Sequence, residues 1–157
     1  MTKEMTRWGV GPVYAIVSII LGAVILLVSH YWLPAMTLAY DTLIFTSGLT
    51  LIAAGIAIFL IAAFQVHTGF NKGELVTGGV YAYVRHPVYA VWILLIVPGL
   101  ALATGYLLLL LLPFMMYFLY KALIGEEETD MERSFGDAYL SYRGRVNPIV
   151  PKFRVRK

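Results

Sequence analysis

The segment from Val88 to Ile124 reads VYAVWILLIVPGLALATGYLLLLLLPFMMYFLYKALI, and its length decides the kind of fold. Its only charged residue is a lysine near its end. The apolar core of a bilayer is about 30 Å thick, and roughly 17–25 residues of helix cross it. The segment is too long for a single crossing. It therefore predicts a helical hairpin with spans at about 88–103 and 106–124 and a turn at Ala103–Gly105.

Two more uncharged apolar segments precede this hairpin, at about 10–31 and 43–66. Of the 157 residues, 60% are hydrophobic and only 13% are charged, whereas about a quarter of the residues of a soluble domain are charged. The absence of cysteine excludes disulfides, thiolate metal sites and a cysteine nucleophile. The first segment is too long for the apolar region of a signal peptide, so we expect a retained span. We predict an all-α integral membrane protein with four transmembrane helices in a single membrane domain, 1–157.

The basic residues predict the orientation of these helices. Lys3 and Arg7 precede the first span, Lys72 and Arg85 lie between the second and third, and the other eight of the 12 lie from Lys121 onward. Because cytoplasmic loops carry the excess of lysine and arginine, we expect both termini and the Arg85 loop on the cytoplasmic side. This pattern is typical of a multi-pass protein of the cell or inner membrane, or of the endoplasmic reticulum in a eukaryote.

Two polar segments share that side of the membrane. The connector at 67–87 is rich in glycine, which disfavours a regular helix and allows close approach to a ligand. The segment at 126–143 predicts a cytoplasmic amphipathic C-terminal helix, because five apolar or aromatic residues fall on one helical face: Met131, Phe135, Ala138, Tyr139 and Tyr142. Glu127 and Glu128 fall at the two edges of that face.

The polar residues of these two segments suit one kind of ligand. Arginine offers a bidentate fork for a carboxylate, histidine can donate or accept near neutral pH, tyrosine stacks on a base or flanks a cation, and glutamate can hold an amine. S-adenosylmethionine needs all four types of contact. The residues concerned are Tyr81, Tyr83, Arg85, His86, Tyr89, Glu127 and Glu128. The simpler alternative is an interfacial anchor, in which Arg85 reaches lipid phosphates and the tyrosines lie at the headgroups.

The two segments also resemble a known family. LVTGGVYAYVRHPVYA, followed after a hairpin by EEETDMERSFGDAYLSYRGRVNPIVP, is similar to the isoprenylcysteine carboxyl methyltransferase family, integral membrane enzymes related to phospholipid N-methyltransferases. The first block matches at Thr77, Gly78, Tyr81, Arg85, His86, Pro87 and Tyr89. The second matches at Glu127, Glu128, Phe135, Gly136, Tyr139, Tyr142, Val146 and Pro151. The resemblance covers about Leu43 to Pro151.

The resemblance implies methyl transfer from S-adenosylmethionine to a lipophilic or lipidated acceptor that enters from the bilayer. Carboxylate O-methylation of an isoprenylcysteine-like substrate is the first expectation. It implies cofactor-binding residues Gly78, Tyr81, Tyr83, His86, Tyr89, Glu127, Tyr139 and Tyr142. It implies catalytic residues Arg85, Glu127 and Glu128, with Arg143 or Arg145 orienting an acidic substrate group. The chain departs from the family pattern at Val91, where glycine is common, and at Val146-Asn147-Pro148, where Val-Pro-Arg is usual.

Several alternatives stay open. A phospholipid or other lipid N-methyltransferase would need a glutamate as base, because an amine arrives protonated. A sterol-reductase-like enzyme would use NADPH, and a non-enzymatic membrane module would bind neither cofactor. We expect membrane lipids but no nucleic acid among the partners. We also expect no metal, since no histidine pair has ligand spacing.

Overall fold

The computed structural model describes residues 10–33, 37 and 41–151. Its long helices confirm the predicted fold class, because four of them are long and apolar enough to cross a membrane: α1 (Gly11–Tyr31), α2 (Thr42–Lys72), α3 (Pro87–Thr104) and α4 (Leu107–Phe135). A shorter helix, α5 (Asp137–Arg145), follows α4. One 3-10 turn, Gly79–Ala82, lies in the connector between α2 and α3.

Local sequence signals set the helix ends. The carboxylate of Asp41 caps the start of α2 by accepting from the backbone N–H of Leu43 at 2.8 Å and of Ile44 at 3.0 Å. Gly73 ends α2 in the left-handed region, with φ 66°. Gly105, with φ 75°, ends α3 in the same way, at the position where the sequence predicts the hairpin turn.

Two helix boundaries differ from the sequence predictions. The connector predicted at 67–87 is shorter, because α2 continues to Lys72. The amphipathic helix predicted at 126–143 is not one separate helix. Instead, α4 runs through the acidic residues to Phe135, and Gly136, with φ 52° and ψ −131°, separates it from α5. Glutamate is a good helix former, so nothing ends α4 before a glycine takes a conformation that other residues avoid.

A π turn interrupts α3 at Trp92–Ile96, where the N–H of Val97 bonds the carbonyl of Trp92. It ends at Ile96, two residues before Pro98. Proline has no N–H, and its ring crowds the carbonyl four residues earlier. A widened turn at this point accommodates the proline inside the membrane-crossing helix.

Small residues bring α2 against α3. The buried residues of α2 repeat every seven positions, at Gly48, Gly55, Ala62 and Gly69. A Cβ atom at Gly48 would lie 2.6 Å from the backbone nitrogen of Ala103 and 2.7 Å from the carbonyl oxygen of Gly99. Small residues are typical of close helix contacts in membranes. Lipid tails are as apolar as the helices, so helix association depends on close packing. α1 packs instead on α4, so α3 and α4 form the centre of the bundle.

The chain order places the end of α2, the start of α3 and the end of α4 at one end of the bundle. The described basic residues of the orientation argument belong to that end, including Lys72, Arg85 and Lys121. Lys3, Arg7 and the residues from Lys152 onward lie outside the described residues.

We expect Gly48→Ala to destabilise the bundle by about 1–3 kcal/mol, the usual cost of overpacking, because the added methyl group meets backbone atoms of α3 that cannot move alone. Thermal unfolding in detergent measures the effect. Gly125→Ala is the control, since a Cβ atom there meets nothing within 4 Å and alanine favours the helix. Equal midpoints for the two variants would contradict the close contact.

Candidate active site

The connector, the end of α4 and the C-terminal tail meet at one end of the bundle. After α5 the chain returns to the connector, where the backbone N–H of Arg85 donates to the carbonyl of Asn147 at 2.9 Å and that of His86 to Pro148 at 3.0 Å. The hydroxyl of Tyr142 donates to the carbonyl of Tyr81 at 2.8 Å. These three contacts hold the tail and the connector together and leave the side chains of Arg85 and His86 free to form a site.

Glu128 lies at the centre of the charged cluster. Its Oε1 is 2.9 Å from Arg85 Nη2 and 3.2 Å from His86 Nε2. Its Oε2 is 3.6 Å from Arg143 Nη2, and Arg143 also reaches Glu132 at 3.6 Å. The side chains of Arg85 and Glu128 are only 8% and 14% exposed. An unpaired charge at such a site would be costly, and each of the two groups compensates the charge of the other.

Glu127 lies on the other side of His86. It accepts a hydrogen bond from the hydroxyl of Tyr89 at 3.0 Å, and its Oε1 is 3.7 Å from His86 Nδ1. Both ring nitrogens of the buried His86 therefore face a carboxylate. Tyr120 packs against the rings of His86 and Tyr89, with centroids 5.7 and 5.4 Å away, and closes the cluster toward the membrane.

Three buried tyrosines outside the membrane-crossing helices, Tyr81, Tyr139 and Tyr142, are neutral hydrogen-bonding groups. Burial raises the pKa of Tyr139 to about 12, and the nearby charge of Glu128 adds to the effect. Burial likewise raises the pKa of Tyr81 and of Tyr142. All three keep their protons at physiological pH. Tyr139 is almost fully buried, and its hydroxyl has no hydrogen-bond partner among the described residues.

A cavity of about 1380 Å³ begins at this cluster and extends between the membrane helices. Its charged end is lined by the predicted residues Tyr81, Arg85, His86, Tyr89, Glu127, Tyr139 and Tyr142. Its apolar part is lined by α1, α2 and α3, with residues such as Gly22, Leu26 and Phe59. The cavity therefore joins a charged chamber to an apolar one.

The structure brings most of the predicted site residues together, but not all. Glu128 and Arg143 belong to the cluster through their ion pairs, although they do not line the cavity. Arg145 does not join it, because its Nε donates to the carbonyl of Ser141 within α5 at 3.1 Å. Tyr83 is 57% exposed, and Gly78 also lies outside the cavity wall.

Other residues of the site were not predicted from the sequence. Gln65 of α2 accepts from the backbone N–H of Val80 at 3.3 Å and so anchors the connector. Tyr14, Ser18 and Tyr120 lie within spans that the sequence marks only as apolar. The available signal is a lone polar side chain inside an apolar helix, which membrane proteins place toward the interior.

A sequence model of the isoprenylcysteine carboxyl methyltransferase family matches residues 50–133, just over half of the chain. The chain belongs to this family. The match includes Arg85, His86 and both site glutamates, while the tail residues Tyr139, Tyr142 and Arg143 follow it.

Two protein-S-isoprenylcysteine O-methyltransferases are among the similar proteins. The one from Schizosaccharomyces pombe is 34% identical over 82 residues, which cover 52% of this chain and 35% of that protein. The one from Rattus norvegicus is 27% identical over 114 residues, which cover 67% of this chain and 40% of that protein. The chain thus matches well under half the length of either relative.

A solved structure of a eukaryotic intramembrane Ras methyltransferase, an isoprenylcysteine carboxyl methyltransferase, has the same fold. It aligns with a TM-score of 0.68 at 24% identity, over 90% of this chain and 53% of that one. Together with the four apolar helices, this family fold identifies a multi-pass integral membrane protein.

We expect Glu128→Gln to destabilise the protein by about 3–5 kcal/mol, because it leaves the charge of the buried Arg85 without its carboxylate partner. The measurement is thermal or denaturant unfolding in detergent. Glu132→Gln is the matched control, since that side chain is 47% exposed and also pairs with Arg143; surface pairs contribute little. Similar losses in both variants would show that Arg85 does not depend on Glu128.

Proposed function

We propose that this chain is an S-adenosylmethionine-dependent methyltransferase that methylates the carboxylate of a lipophilic, isoprenylcysteine-like acceptor. The names of its two relatives support the reaction. The observation that carries the proposal is the arrangement of Arg85, His86 and the two glutamates at the mouth of an apolar cavity. That arrangement suits a ligand with charged groups at one end of the site and an acceptor that arrives from the membrane at the other.

The polar groups of the site fit the proposed cofactor. The Nε and Nη1 atoms of Arg85 are buried and have no partner among the described residues, so this guanidinium can bind one ligand carboxylate, of the cofactor or of the acceptor, in addition to Glu128. Glu127 can hold an amino group, and Tyr81, His86 and Tyr139 supply flat faces and donors along the cavity wall. When bound, S-adenosylmethionine would supply the methyl group of its sulfonium to a nucleophile by in-line displacement, with S-adenosylhomocysteine as the leaving group.

The residues of the chain would then act mainly by alignment and by exclusion of water. Correct alignment of two reactants can contribute roughly 7–11 kcal/mol. Arg85 lines the cavity and would orient the acceptor carboxylate. Arg143 lies outside the cavity wall and would position Arg85 through Glu128, with which both arginines pair. The apolar walls of the cavity exclude water from the site.

The ion pairs favour a carboxylate acceptor over an amine. A carboxylate has a reference pKa of about 4, so it arrives ionised and needs no base. An amine needs a base, yet Glu128 is held by two arginines and His86, and Glu127 by Tyr89 and His86. Neither glutamate is positioned as an unengaged proton acceptor.

The acceptor would enter sideways from the bilayer. α1 packs on α4 and α2 on α3, and the cavity lies between the two pairs, lined by both α1 and α2. A lipidated or otherwise lipophilic molecule could thus reach the charged end without leaving the membrane. With the basic residues on the cytoplasmic side, the cofactor would enter from the cytosol.

The direct test uses the purified protein in detergent with S-adenosylmethionine labelled on its methyl group and an S-prenyl cysteine derivative. We expect a labelled lipophilic product that releases labelled methanol on alkaline hydrolysis, because methyl esters hydrolyse and N-methyl amines do not. A label that survives alkali would indicate N-methylation. Binding of NADPH but not of S-adenosylhomocysteine would indicate a reductase.

A second prediction separates the two tail arginines. Arg143→Ala should lower methyl transfer at least tenfold, since it removes a cation that lies against Glu128. Arg145→Ala should leave activity near the wild-type level, because that side chain bonds the carbonyl of Ser141 in its own helix. Initial rates at saturating cofactor measure both. The reverse order would move the acceptor site to the other face of α5.

A further inference from the structure

Two side chains of α1 carry buried hydroxyl groups into the wall of the cavity. Tyr14 is 4% exposed and Ser18 is 8% exposed, and both line the cavity. Neither hydroxyl has a hydrogen-bond partner of good geometry among the described residues, and the two hydroxyls lie close enough to interact with each other. Both lie outside the part of the chain that the family model matches, which begins at residue 50, so membership of the family assigns them no role.

Three other serine and threonine hydroxyls within the membrane helices form hydrogen bonds to their own helix. Ser29 donates to the carbonyl of Ile25 at 2.8 Å, Thr50 to that of Thr46 at 2.8 Å, and Thr104 to that of Leu100 at 2.7 Å. This bond to the carbonyl four residues earlier is the usual solution for serine and threonine in an apolar helix. Ser18 does not make it, and an unsatisfied buried hydroxyl costs free energy. The two hydroxyls are therefore available to a ligand.

The position of these hydroxyls along α1 indicates which part of a ligand they would meet. The start of α1 lies beside the charged cluster, because a Cβ atom at Gly11 would be 4.0 Å from the hydroxyl of Tyr89, which bonds Glu127. Ser18 lies seven residues further along, or about 10 Å at 1.5 Å per residue. Beyond it the lining residues of α1 are apolar: Ile19, Gly22, Ala23 and Leu26.

The cavity wall thus has three zones in order: a charged end, a pair of hydroxyls and an apolar end. We propose that Tyr14 and Ser18 bind an amide group of the acceptor, which branches from the carbon between its reacting carboxylate and its prenyl thioether. A carbonyl oxygen has two lone pairs, so the two hydroxyls can both donate to the C=O of one amide. This inference rests on the proposed function and makes the two residues determinants of acceptor specificity.

The test compares two acceptors that share the carboxylate, the thioether and the prenyl tail. One is an N-acyl S-prenyl cysteine, and the other is the S-prenyl mercaptopropionate that lacks the amide. We expect Tyr14→Phe and Ser18→Ala each to weaken binding of the amide acceptor about 5-fold, which corresponds to one hydrogen bond of about 1 kcal/mol. Binding of the amide-free acceptor should not change. Equilibrium binding to the protein without cofactor provides the readout.

Thermal stability provides the second measurement. Because each substitution removes an unsatisfied buried hydroxyl, the unfolding midpoint of either variant should stay the same or rise. Tyr31→Phe and Ser29→Ala are matched controls on the same helix. Tyr31 is 72% exposed and Ser29 bonds its own helix, so neither control should alter the affinity for either acceptor.

Three results would overturn the inference. The first is an equal loss of affinity for the two acceptors. The second is a fall in the unfolding midpoint of Tyr14→Phe or Ser18→Ala with both affinities unchanged, which would assign the hydroxyls to the fold. The third is a wild-type protein that binds neither acceptor. Only the third result would also count against the proposed function. Failure of the inference can therefore be distinguished from failure of the proposed function.

Discussion

The contact between Arg85 and Glu128 is the interaction on which the site depends. Both side chains are largely buried, at 2.9 Å from each other, beside helices that cross the membrane. Burying either charge alone would cost several kcal/mol, so the connector and the end of α4 must meet. The same contact brings His86 between two carboxylates and leaves two nitrogens of Arg85 without partners. The same ion pair therefore stabilises the fold and holds the site residues in place.

The rest of the bundle keeps these charged groups in register. Pro87 starts α3 directly after Arg85 and His86, and the small residues of α2 hold that helix at close range. The tail bonds the backbone rather than the side chains of Arg85 and His86. Positioning by backbone and helix packing leaves the ionised side chains free to interact with one another and with a ligand.

The cavity combines two environments that rarely share one wall. Its charged end suits a polar cofactor, and its apolar end between α1 and α2 suits a chain that is already dissolved in the bilayer. A soluble enzyme would have to extract such an acceptor from the membrane. A site at the end of a membrane bundle would avoid that step, because it lies where lipid and water meet.

The sequence by itself determined the four membrane crossings, because hydropathy and helix length are local properties, and the turn at Gly105, because glycine readily takes a left-handed conformation. It also brought Arg85, His86, Glu127 and Glu128 together as candidates through the resemblance of two separate segments.

Only the tertiary structure decided that Arg143 rather than Arg145 reaches Glu128, since the torsion angles of Gly136 set the direction of α5. It alone placed Gln65, Tyr14 and Ser18 at the site. The physical reason is that the side of a membrane helix that faces the interior depends on how the helices pack, and a uniformly apolar helix carries no amphipathic stripe that would reveal it.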